Sequence, residues 1–122
     1  MGHATADATP RTSVVVLADD LIWASRLRAA VEHAGGRTIA ITRADQIGGA
    51  LVVIDLGGRA YDGIAAVRAA ASAGATVLAV AQHDDIDLRK AALAAGASKV
   101  LSYNKMFSDG SAVMERLMAG TL

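Results

Sequence analysis

The chain has 122 residues, enough for one domain around a single hydrophobic core, and 53% of them are apolar. Twelve Lys and Arg balance twelve Asp and Glu, which leaves no basic field to attract a nucleic acid. Cysteine is missing, which excludes disulfides, thiolate metal sites and a cysteine nucleophile; no apolar run approaches the ~20 residues that cross a bilayer, and a cytoplasmic protein is expected.

In chain order, residues 1–12 (MGHATADATPRT) are polar and lack the apolar stretch of a signal peptide, so they read as a flexible tail ahead of a domain over 13–122. The run SVVVLA (13–18) predicts a first strand. A helix follows, with Trp23, Leu27, Ala30, Val31 and Ala34 on one face and Gly35-Gly36 at its end. RTIAIT (37–42) predicts the second strand and LVVID (51–55) the third. Asp62 is placed to cap a helix carrying Ile64, Val67 and Ala71, which stops near Gly74. TVLAVA (76–81) predicts the fourth strand, Asp85 to Ala95 a helix with acids in its first turn and Gly96 past its end, and KVLSY (99–103) the fifth strand. Val113, Met114, Leu117 and Met118 mark a last helix. Near-continuous β-branched runs suit strands buried on both faces, so the alternation predicts an α/β sandwich built on a parallel sheet.

One crossover is too short. Only the eight residues RADQIGGA separate the second and third strands, where a parallel connection usually takes about a dozen. Thr42 and Asp45 look like a capping pair and Gly48-Gly49 a stop, so at most about a turn and a half of helix fits. The second helix is expected to be shortened, and the sheet face beside it to need another cover, from a homodimer or a partner helix.

The chemistry collects at strand ends, because ligands of parallel α/β sheets bind beyond the carboxyl ends of the strands. Asp19 and Asp20 follow the first strand and Asp55 ends the third, with Gly57-Gly58 just beyond. If the two strands are neighbours, three carboxylates share a crevice, and two of them ~4 Å apart repel by ~4 kcal/mol at an effective dielectric of ~20. A proton or a hard cation such as Mg²⁺ relieves that repulsion, and a backbone carbonyl freed by the glycines can join the ion. Taken singly, each acid also serves as a turn former or helix cap.

These residues resemble the receiver domain of bacterial two-component response regulators, over nearly all of 13–119. Asp19-Asp20 match the family's acid pair, Asp55 its phosphoryl acceptor, Asp62-Gly63 the Asp-Gly that opens the next helix, and ALAAGA (92–97) the stretch before the last strand. The resemblance implies a flavodoxin-like five-stranded sheet of order 2-1-3-4-5. It implies phosphorelay signalling with Asp55 as acceptor, and Mg²⁺ held by Asp19, Asp20, Asp55 and the Gly57 carbonyl. A sensor histidine kinase or phosphotransfer protein would be the donor, and a downstream protein partner or homodimer would read the signal. A stand-alone, non-enzymatic module is expected.

The match breaks at the residues that read phosphate out. The family's Ser or Thr on the fourth strand falls on Ala81, its Lys on Tyr103, the following Pro on Asn104 and the fifth-strand aromatic on Val100. Gly58-Arg59 stand where the family has Met-Pro. Lys105 would supply the missing charge if the fifth strand ran on, since it shares strand parity with Tyr103, and Arg59 is a second candidate cation. Three readings stay open: a phosphorylated receiver with altered switching, a phosphorylation-independent pseudo-receiver that binds proteins, and reuse of the fold for a small molecule. Trp23 is expected at the edge of the core near the crevice. His33, near a helix end, is read as structural and His83 as exposed beside acids that suit the helix dipole, and dinucleotide and P-loop glycine motifs are missing.

Overall fold

A computed structural model of the protein describes residues 11–122; the tail expected over 1–12 lies, up to Pro10, outside the described residues. Five strands form one parallel sheet: β1 (Ser13–Leu17), β2 (Arg37–Ile41), β3 (Leu51–Asp55), β4 (Thr76–Ala81) and β5 (Lys99–Ser102). Their order is β2-β1-β3-β4-β5, the flavodoxin-like order that the resemblance implied. The helices are α1 (Leu21–His33), α2 (Gly63–Ser72), α3 (Ile86–Ala95) and α4 (Tyr103–Ala119). No helix among the described residues is long and apolar enough to cross a membrane.

Because successive strand residues point to opposite faces, the sheet builds two cores. Val14, Val16, Val53, Leu78 and Val80 pack against Leu27 and Val31 of α1 and Val113, Met114 and Leu117 of α4. Val15, Leu17, Val52, Ile54, Val77 and Ala79 meet Ala66, Val67 and Ala70 of α2 and Ala92 and Ala95 of α3. Asp62 caps its helix as predicted, accepting the Ala65 N–H, and Asp20 and Asp85 cap α1 and α3 in the same way, accepting the N–H groups of Trp23 and Leu88. At the far end of α3, Gly96 has φ 116°, a left-handed conformation that costs glycine nothing.

The short crossover holds a single 3-10 turn, Ala44–Gln46. Its closure differs from the expected Thr42–Asp45 pair. Gln46 Oε1 accepts the N–H groups of Thr42 and Arg43 at 3.4 and 3.3 Å, while Asp45 pairs with Arg43 at 3.2 Å. One turn cannot span the sheet face. Ile39 is left 43% exposed, and an open groove of about 520 Å³ runs along Val15, Ile39 and Leu51.

The fifth strand is shorter than predicted. It ends at Ser102, whose hydroxyl accepts the Lys105 N–H at 3.1 Å and starts α4 at Tyr103. The apolar pattern at 113–118 marks only the second half of this helix. Its first half mixes polar residues with buried Met106, and a kink at Asp109 precedes Gly110, where α4 runs against Ala30 of α1.

Candidate functional site around Asp55

The strand order puts β3 in the middle of the sheet, with β1 on one side and β4 on the other. Leu17 pairs with Ile54, so Ala18 comes level with Asp55 and the Asp19-Asp20 pair follows just beyond it. The three acids therefore open onto one crevice at the carboxyl edge. Asp55 is only 2% exposed and is the one buried charged side chain among the described residues.

Each acid is already engaged. Asp19 Oδ2 accepts the N–H groups of Arg59 and Ala60 at 2.8 and 2.6 Å, tying the loop after β3 back to β1. Asp20 Oδ1 accepts the Trp23 N–H at 3.0 Å and caps α1. Asp55 Oδ1 accepts the Gly57 N–H at 2.9 Å and the phenolic O–H of Tyr103.

Two tyrosines close the crevice. Tyr103, in the first turn of α4, sends its hydroxyl to Asp55, and its ring meets Trp23 with centroids 4.6 Å apart. Tyr61 donates to the Asp55 carbonyl oxygen at 2.6 Å and lies 3.2 Å from that of Leu17, stapling the ends of β3 and β1. The glycine pair exists beside these rings. A Cβ at Gly57 would strike the Tyr103 hydroxyl, and one at Gly58 would strike the Tyr61 ring.

Burial pushes the Asp55 carboxyl above the ordinary carboxylate range. Its hydrogen bonds from Tyr103 and Gly57 oppose that rise, and the nearby charges of Asp20 and Asp19 add to it. Burial also pushes both phenols up, reinforced in Tyr103 by the hydrogen bond it gives Asp55 and in Tyr61 by the Asp55 charge. Both tyrosines are thus neutral donors at physiological pH.

The remaining expected residues fall at varying distances from this chemistry. Ala81 is buried at the end of β4 and offers only a methyl. Lys105 does not extend the strand beside Tyr103. It lies on the exposed side of α4, where its ammonium pairs with Asp109 at 2.6 Å, because the chain turns helical after Ser102. Arg59 is exposed and binds Asp19 through its backbone N–H. Tyr61 was not singled out from the sequence. Its only signal is that it is one of two tyrosines in the chain and closely follows a glycine pair.

Asp19, Asp20 and Asp55 supply the hard oxygen donors that Mg²⁺ takes, and each keeps one carboxylate oxygen without a donor among the described residues. They stand apart in this conformation, however. No three His, Cys, Asp or Glu among the described residues come together closely enough to hold a metal ion.

No family model and no curated protein matches this chain. Solved structures do. NtrX from Brucella abortus superposes with a TM-score of 0.79 at 17% identity, over 92% of this chain and 28% of NtrX. The receiver domain of the Francisella response regulator 1452 gives 0.74 at 18% identity, over 91% of this chain and 99% of that one. A CheY-like receiver domain protein from Methanospirillum hungatei gives 0.77 at 13% identity, over 92% and 97%. The chain thus has the fold of response-regulator receiver domains. It spans little more than a quarter of NtrX.

Proposed function

We propose that the chain is a receiver-type signalling module in which Asp55 accepts a phosphoryl group from a phosphohistidine of a sensor kinase or phosphotransfer protein. The burial of Asp55 carries this reading. Burial of a carboxylate at the mouth of the central strand, on the same edge as two further acids, raises its pKa and costs stability that a neutral residue would spare. Such a group is kept for chemistry. In the step, a carboxylate oxygen of Asp55 forms a P–O bond as the P–N bond to the histidine breaks, and the imidazole leaves on taking a proton from solvent. Mg²⁺, held by Asp19 and Asp20 with the Gly57 carbonyl, would neutralise phosphoryl charge. Output passes through the surface to a protein partner or a second copy, in the cytoplasm. Intact mass after acetyl phosphate with Mg²⁺ tests the reading: one phosphoryl adduct on the wild type and none on Asp55→Asn supports it, and an unmodified wild type refutes it.

A second reading, a pseudo-receiver that binds proteins without phosphorylation, is favoured by one observation. Tyr103 already occupies Asp55 Oδ1 where the family has a cation, and Ala81 offers no hydroxyl in exchange. An unmodified wild type with intact folding would select it. Small-molecule binding has less support, since the grooves are open: those along β2 and between α1 and α4 lie away from the acids, and one of about 510 Å³ beside Arg43 borders the crevice only through Ala60 and Tyr61.

A further inference from the structure

We infer that Tyr103 is a positioning residue that reports the state of the Asp55 side chain to the α1–α4 face through Trp23. This rests on Asp55 being the regulated group of the proposed module. The relay is short and continuous. Asp55 Oδ1 holds the Tyr103 hydroxyl, and the Tyr103 ring meets Trp23 at 4.6 Å with the planes 43° apart. The Arg26 guanidinium then lies 5.2 Å from the Trp23 ring centroid and 4.6 Å from that of Phe107, which is 68% exposed. Four contacts therefore join a buried carboxylate to an exposed aromatic.

Both relay rings sit in the first turns of helices whose starts are pinned at the crevice, α1 by Asp20 and α4 by Ser102. The backbone under each ring is thus fixed, and a change at Asp55 has to be absorbed by the side chains. Asp55 Oδ1 is the only acceptor of the Tyr103 hydroxyl among the described residues. Phosphorylation of Asp55 converts the carboxylate to an ester-like acyl phosphate and puts a bulky group beside this hydroxyl, so the bond is lost or redirected. The ring then shifts against Trp23, and the Arg26–Phe107 stack shifts with it.

Tyr61 is the internal comparison. It also reaches Asp55, but through the main-chain carbonyl, which is unchanged whatever happens to the side chain. Tyr61 anchors the crevice, and Tyr103 reads it.

The test uses the full chain and its single tryptophan, whose emission reports Trp23 alone. Asp55→Ala removes the acceptor, whereas Asp55→Asn keeps an oxygen for Tyr103. Each is made in the wild-type, Tyr103→Phe and Tyr61→Phe backgrounds, with thermal unfolding confirming that every variant folds. Asp55→Ala is expected to shift Trp23 emission, and Asp55→Asn to leave it near the wild-type position. The Asp55→Ala shift is expected to vanish with Tyr103→Phe and to persist with Tyr61→Phe. A shift of equal size in the Tyr103→Phe background, or none in any background, overturns the inference. Intact mass after acetyl phosphate decides the phospho-acceptor reading separately, since the mutant cycle needs no phosphorylation.

Discussion

Gly57→Ala, made with and without Tyr103→Phe, tests the crevice most directly. Gly57 does not have a positive φ, so alanine meets no backbone strain and should gain roughly 0.4–1 kcal/mol from a stiffer unfolded chain. Its Cβ would collide with the Tyr103 hydroxyl, however, and that hydroxyl must leave Asp55. A hydrogen bond to a charged group contributes about 1.5–3 kcal/mol, so the net effect is a loss of about 1–2 kcal/mol. With Tyr103→Phe the obstacle is gone. The remaining neighbours are Asp55 Oδ1 at 3.3 Å and the Tyr103 Cζ at 3.6 Å, which ask for only a slight adjustment. Gly57→Ala should then cost close to nothing. Urea unfolding of the four proteins gives the coupling as a difference of differences, valid if the slope with denaturant is the same in all four. An equal cost of Gly57→Ala in both backgrounds would refute the account of why glycine stands here.

Three further outcomes are expected. Gly58→Ala should cost about 1–3 kcal/mol by overpacking, because its Cβ meets a Tyr61 ring that is anchored to the Asp55 carbonyl at 2.6 Å; thermal unfolding checks this. Asp55→Asn should be stabilising at neutral pH. The raised folded pKa of Asp55 means that, above its ordinary value of about 3.9, the folded state keeps a proton the unfolded state has lost. The wild type therefore loses stability as pH rises from there through the folded pKa, and the gap between Asp55→Asn and wild type should widen over that window in denaturation at several pH values. Asp19→Ala should release the amides of Arg59 and Ala60, seen as faster hydrogen exchange at those two positions with exchange in β3 unchanged.

What the sequence determined is what local physics encodes. β-branched runs of five or six residues between amphipathic stretches specify strands buried on both faces, and they mark β3 and β4 to the residue. Asp62 and Asp85 were legible as helix starts because a carboxylate there satisfies an N–H three residues on, whereas Asp20, read as one of the metal-binding acids, also caps α1. The short RADQIGGA stretch between the second and third apolar runs announced an uncovered sheet face, since so short a segment cannot hold a helix across it. The position of Asp55 at a strand end was equally plain. Its surroundings were not. Tyr103 lies 48 residues from Asp55, and Arg59 lies 40 from Asp19. No periodicity of 2 or 3.6 residues reaches across such separations. The fifth strand shows the same limit at short range. β propensity carries KVLSY through Tyr103, yet the Ser102 hydroxyl turns the chain into a helix one residue earlier, and that turn delivers the phenol to the acid. Only the packed sheet, which brings the ends of β1, β3 and β5 to one edge, decided that two glycines would make room for two tyrosines and that a buried carboxylate would be held by a neutral donor.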